Sequence, residues 1–195
     1  MPSMLIFGGT FDPVHNGHIA MLHAAIAAIT PSMIVVIPAG QPWQKTSVVQ
    51  ANGAHRLAML KLAFPNFTID TREVNRQGST YTVETLREIS REFPTHQLHW
   101  LIGSDSFAKL DSWREPEAIA ALTHFAVVRR ANEVITPPRL ACRYAEIVAA
   151  PPPISSTEIR ARLKKSPPQN IEDFVPASIC DYIQKHHLYQ STGEN

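Results

Sequence analysis

Short apolar runs alternate with helical periodicities along most of this chain, and that alternation restricts its possible folds more than any other feature. "MLIFG" (Met4–Gly8) is a compact apolar run ended by glycine, as in a strand buried on both faces. Ile19, Leu22, Ile26 and Ile29 then recur at helical spacing until Pro31 ends the helix. "MIVVIP" (Met33–Pro38) is a second buried strand. Leu57, Leu60 and Phe64 mark the next helix, and "FTID" (Phe67–Asp70) a third strand. A helix from Thr82 to Phe93 carries Leu86 and Ile89 and closes at Pro94. "LHWLIG" (Leu98–Gly103) is a fourth strand, followed by a polar turn, "SDS". A helix follows over "EPEAIAAL" (Glu115–Leu122), with Pro116 in its first turn. "FAVVRR" and "AEIVAA" read as fifth and sixth strands, and after three prolines come helices near Ser156–Lys165 and Pro176–His187. "QPWQKTSVV" reads as a polar loop.

Such alternation predicts an α/β fold. The expected form is a Rossmann-like, doubly wound, mostly parallel sheet with helices on both faces and a small C-terminal helical extension, about 154–190. A chain of 195 residues suits one domain. In these sheets ligands bind beyond the carboxyl ends of the strands, where strand order reverses. The polar clusters of this sequence each follow a strand.

Composition narrows the function classes. A net charge of +1 gives no bulk field for nucleic acid or an acidic membrane, so an anionic substrate needs a local cluster of donors. The longest helix-like apolar stretch, Ile19–Ile29, is too short to span a bilayer. The N-terminus lacks the basic region of a secretory signal. Cys142 and Cys180 form no CxxC and read as reduced thiols of a cytoplasmic protein.

"GGTFDPVHNGH" (Gly8–His18) is the first chemical constellation. Gly8 and Gly9 let backbone approach a ligand, Asp12-Pro13 makes a turn, and Gly17 opens a helix. His15 and His18 lie one turn apart at a helix start, where free N–H groups favour an anion. The ordinary alternative is a capped helix with solvent-facing histidines. No HExxH or Cys/His framework completes a metal site, and neither a Walker A loop nor GxGxxG is present. The glycine pair together with the histidines favours a phosphate.

In "ISSTEIRARLKK", Ser155, Ser156 and Thr157 precede an amphipathic helix with Arg160 one turn in. That is either a polyphosphate cradle or an N-cap by Ser156 or Thr157 with a surface arginine. In "LIGSDSFAKLDSWREPE", Asp105 can accept from a ribose or base amine. Trp113 there is a stacking surface or peripheral core. Thr82, in "GSTYTVETL", offers a hydroxyl beside the Val83 amide, or merely caps a helix. Lys45 is the one cation of "PAGQPWQK".

Read together, these segments resemble the bacterial nicotinate-nucleotide adenylyltransferases of the HxGH nucleotidyltransferase superfamily, in order over almost the whole chain. "VPASICDYIQKHHLY" (Val175–Tyr189) is similar to the family's ending. The resemblance implies one nucleotidyltransferase domain over residues 1–195. The implied reaction is AMP transfer from ATP to nicotinate mononucleotide, with Mg²⁺ carried mainly on the ATP phosphates and no dedicated metal ligands. By position, Gly8, Gly9, Thr10, Phe11, His15 and His18 would face the ATP phosphates, Gly103 and Asp105 the adenosine. Ser155, Thr157, Arg160 and Lys45 would hold the departing phosphates. Trp113 would stack on the pyridine, while Thr82 and the Val83 and Arg114 amides receive its carboxylate. The partners expected are these small molecules, not nucleic acid or membrane, with monomer and homodimer both open. One departure is Pro42-Trp43-Gln44-Lys45, where the family commonly has Pro-Pro-His-Lys; Gln44 replaces a histidine donor. Phosphopantetheine adenylyltransferase, a cytidylyltransferase, a metal-dependent hydrolase and a nucleotide sensor are the rival readings.

Overall fold

The computed structural model of the chain describes residues 1–42, 49–130, 132–150 and 152–190. In chain order its strands are β1 (Ser3–Gly9), β2 (Met33–Pro38), β3 (Gln41–Pro42), β4 (Thr68–Ile69), β5 (Ser79–Thr80), β6 (Gln97–Gly103), β7 (His124–Arg130) and β8 (Tyr144–Ala149). The helices are α1 (Asn16–Ile29), α2 (Gly53–Ala63), α3 (Arg72–Asn75), α4 (Thr82–Glu92), α5 (Ser104–Phe107), α6 (Pro116–Leu122), α7 (Ser156–Leu163) and α8 (Ala177–Lys185).

Six strands form one sheet in the order β4-β2-β1-β6-β7-β8, and its pairings are parallel. Both faces are covered, which is why the central strands read as continuous apolar runs rather than alternating ones. On one face, Leu5 and Phe7 of β1 share a core with Leu22 of α1, Leu60 of α2, Ile159 of α7 and Ile179 of α8. On the other, Met4 and Ile6 pack with Val83 and Leu86 of α4 and Ile119 of α6. The strand order reverses between β1 and β6, so their carboxyl ends open a crevice there.

Helix α1 ends at Thr30, whose backbone is left-handed (φ 46°) and whose amide donates to the Ile26 carbonyl, with Pro31 next. The long elements match the patterned segments; the short ones depart from them. The expected third strand shrinks to Thr68–Ile69, and "SDS" is the opening of helix α5 rather than a turn. Helix α3 and the β3–β5 pairing fall where no strand or helix is expected, because two to four residues are too few to show a period. Strand β8 lies at the sheet edge with Tyr144, Ala145 and Glu146 exposed and Ile147 buried. Most of the loop around Lys45, residues 43–48, lies outside the described residues. No helix among the described residues is long and apolar enough to cross a membrane.

Candidate active site

The crevice at the ends of β1 and β6 holds a cavity of about 700 Å³. Gly8, Gly9, Thr10, Phe11, His15 and His18 line one side, Gly103, Asp105, Thr82 and Trp113 another, and Ser155, Thr157 and Arg160 a third. Segments far apart in sequence therefore meet at one place. Val83 and Arg114 do not line it with their side chains. Val83 is buried in the core, and the Arg114 guanidinium lies over the Tyr81 ring at 4.3 Å. Lys45 lies outside the described residues.

The two histidines form a reciprocal cap on α1. The Gly17 amide donates to His15 Nδ1 at 3.1 Å, and the His15 amide donates to His18 Nδ1 at 3.2 Å. An imidazole that accepts at Nδ1 carries its proton on Nε2. The rings lie close, with centroids 3.7 Å apart. Burial drives the His15 pKa down to about 4, which keeps it neutral. The histidines are therefore cap and cavity wall at once, not solvent-facing. Gly17 has a packing reason, since a Cβ there would stand 2.9 Å from the His15 ring. Gly8 has one too: a Cβ would meet the Trp100 ring at 2.5 Å, so packing by itself favours glycine there. Phe11, left-handed at φ 50°, sets its ring edge-on to His18 at 5.1 Å.

Asp12 is buried beneath this turn, and protein donors occupy both of its carboxylate oxygens. Oδ2 accepts from the Gln50 amide at 2.8 Å; Oδ1 accepts from the Ala51 amide at 3.1 Å and the Tyr189 hydroxyl at 2.7 Å. It shapes the wall, and each of its oxygens already accepts from a protein donor. Among the described residues no group of three or more His, Cys, Asp or Glu is placed to hold a metal ion.

Arg160 is buried, not a surface arginine. Its Nη1 donates to the Asp12 carbonyl at 2.7 Å and its Nη2 to Thr157 Oγ1 at 3.3 Å, while the buried Nε has no partner among the described residues. The N-cap of α7 is Ser155 rather than Ser156 or Thr157: Ser155 Oγ accepts from the Glu158 amide at 3.1 Å. Ser156 Oγ instead donates to the Pro13 carbonyl at 2.9 Å, stitching α7 to the histidine segment.

Helix α4 begins at Thr82 with Tyr81 at the N-cap, and no side chain caps it. The Glu84 amide donates to the Tyr81 carbonyl at 3.1 Å, and the amides before it have no partner within the helix. Trp113 is half-buried against the core and also borders the cavity, so it is both peripheral core and available surface.

Sequence reading misses two residues. Arg56 is buried and donates to the carbonyls of Thr10 (2.9 Å), Ala39 (2.6 Å), Gly40 (3.1 Å) and Ala51 (3.3 Å), holding the rim together. Burial pulls its pKa down, and the Asp12 charge opposes that. An arginine inside a helical stretch gives no hint of such a role. Lys109 lines the cavity near Trp113, and its four-residue spacing from Asp105 was the available signal.

This all-parallel, doubly wound sheet with its cavity at the switch point is the architecture of a nucleotide-handling α/β enzyme. The Cytidylyltransferase-like family model matches residues 6–162. A probable nicotinate-nucleotide adenylyltransferase of Leifsonia xyli is 34% identical over 98% of this chain and 96% of its own length. One from Neisseria meningitidis is 36% identical over 97% of this chain and 100% of its own length. Among solved structures, Plasmodium falciparum nicotinic acid mononucleotide adenylyltransferase complexed with NaAD superposes with a TM-score of 0.77. The match is at 23% identity, over 97% of this chain and 98% of that one, which shows the fold. The chain belongs to the cytidylyltransferase-like family and, within it, to the nicotinate-nucleotide adenylyltransferases.

Proposed function

We propose that this protein transfers the adenylyl group of ATP to nicotinate mononucleotide, giving deamido-NAD and pyrophosphate. The observation that carries the reading is the meeting, on one cavity, of the histidine cap of α1, the hydroxyl-rich start of α7 with Arg160, the uncapped start of α4 and Trp113.

An acceptor phosphate oxygen bonds to the α-phosphorus of ATP while the bond from that phosphorus to the bridging oxygen breaks, and the electron pair leaves with pyrophosphate. The chain supplies alignment of two anions and donors for the charge that builds on the oxygens. His15 and His18 serve as neutral Nε2–H donors beside the Gly8, Gly9, Thr10 and Phe11 backbone. Ser155, Thr157 and Arg160, whose Nε has no partner among the described residues, receive the pyrophosphate end, with Lys45 as a further cation. Gly103 and Asp105 hold the adenosine. Mg²⁺ on the triphosphate supplies charge neutralisation when bound.

Trp113 gives the pyridine ring a stacking face. Thr82 with the Val83 and Arg114 amides offers donors, which suit the acceptor's carboxylate and oppose the NH₂ of an amide analogue. One domain spanning the chain suits this reading, since α7 and the C-terminal Tyr189 both close on Asp12. The thiols Cys142 and Cys180, both free, suit a cytoplasmic enzyme. Incubation with ATP, Mg²⁺ and nicotinate mononucleotide should give deamido-NAD and pyrophosphate in equal amounts by chromatography. Hydrolysis of ATP without the dinucleotide would refute the reading.

A further inference from the structure

Three left-handed, non-glycine backbones converge on one buried hydrogen bond. His187 (φ 49°) and Tyr189 (φ 63°) turn the chain after α8, and Phe11 (φ 50°) immediately precedes Asp12. Such conformations are costly and persist where the surrounding structure enforces them, typically at functional sites. Here they bring the Tyr189 hydroxyl to 2.7 Å from Asp12 Oδ1, in the interior. Burial and the facing Asp12 charge push the tyrosine pKa up, so the phenol remains a donor.

Asp12 is where the parts of the phosphate end join. Its carboxylate holds the Gln50 and Ala51 amides, directly after the cavity-lining Val49, and its carbonyl takes the Arg160 Nη1. Arg160 Nη1 also stands 3.9 Å from Asp12 Oδ2. Ala51 is held from both sides, by Asp12 at its amide and Arg56 at its carbonyl. A rotation of the Asp12 carboxylate would therefore release the 49–51 wall and loosen the 3.9 Å ion pair to Arg160, whose hydrogen bond to the backbone carbonyl would stay.

We propose that Tyr189 is a positioning residue for the ATP site, acting through Asp12 from the C-terminal end of the fold. It fixes the carboxylate that holds the 49–51 wall and pairs with Arg160 at 3.9 Å, and leaves the acceptor pocket of Thr82 and Trp113 untouched. Its kinetic part rests on the function proposed above.

The test is Tyr189→Phe, which removes one oxygen and keeps the ring. Hydrogen exchange on the protein without substrate should rise about tenfold at Gln50 and Ala51, with the helices of the opposite face unchanged. In kinetics, KM for ATP should rise about five- to tenfold while KM for nicotinate mononucleotide stays within about twofold. Asp12→Asn should reproduce the split and add little on top of Tyr189→Phe; it carries the test alone if the tyrosine variant does not fold. Unchanged exchange at Gln50 and Ala51, or equal rises in both KM values, would overturn the assignment. Localised exchange in a protein that proves inactive toward nicotinate mononucleotide would leave the positioning role standing and remove the proposed acceptor instead.

Discussion

His15 and His18 each serve the fold with Nδ1, and the proposed reaction uses them as donors through Nε2–H. His18→Ala removes one leg of the cap and, in the proposed reaction, one donor at the reacting phosphate. It should lower kcat on the order of a hundredfold while the protein stays folded. Near-normal turnover with unchanged secondary structure would show that His18 only caps the helix. The His15 ring sets a pH dependence of stability. Its folded value near 4 lies below the ordinary 6.5, so the unfolded chain binds the proton first on acidification. The stability carried by the neutral ring is complete above 6.5 and drains away as pH falls toward 4. Urea midpoints of wild type and His15→Asn, an alternative N-cap, should differ more at about pH 7.5 than at about pH 5. A gap that does not narrow would contradict the neutral-cap account. The histidine pattern is visible in the sequence because its partners are two and three residues away. Arg160 holding the Asp12 carbonyl, 148 positions distant, and Tyr189 on Asp12, 177 positions distant, have no local signature.

At the scale of elements, the proposed reaction divides the substrates between helix starts and strand ends. In it the ends of β1 and β6 and the start of α7 would serve ATP, whereas the start of α4 and the chain after α5 would serve the acceptor. Trp113 therefore separates the two substrates experimentally. Trp113→Ala should raise KM for nicotinate mononucleotide by about tenfold or more and leave KM for ATP nearly unchanged, because it removes a stacking face. Steady-state titration of each substrate in turn checks this, and equal changes would exclude stacking. Elements with two or more turns or a run of buried strand residues were legible: β1, β2, β6, β7, α1 and α4 lie within a residue or two of their patterned segments. Helix α5, four residues of "SDSF", was not, since one polar turn and one helical turn look alike in sequence. Its consequence is real, because α5 places Asp105 at the cavity.

For the whole molecule, alternation of strand and helix was enough to imply a parallel sheet with a site at the reversal of strand order. The sheet order β4-β2-β1-β6-β7-β8 puts that reversal between β1 and β6, where the histidine segment and Asp105 stand. What the alternation does not contain is the closure of the C-terminal helices on the histidine segment, made by Ser156, Arg160 and Tyr189 through single hydrogen bonds. In the proposed reaction this cavity joins AMP to an acceptor bearing a pyridine carboxylate. Pyrophosphate release from ATP and Mg²⁺, measured in parallel with nicotinate mononucleotide, nicotinamide mononucleotide and phosphopantetheine, tests it most directly. The account predicts strong preference for nicotinate mononucleotide, about a hundredfold or more in kcat/KM over the amide, from donors that match a carboxylate. Equal use of the two mononucleotides, or turnover with phosphopantetheine alone, would contradict it.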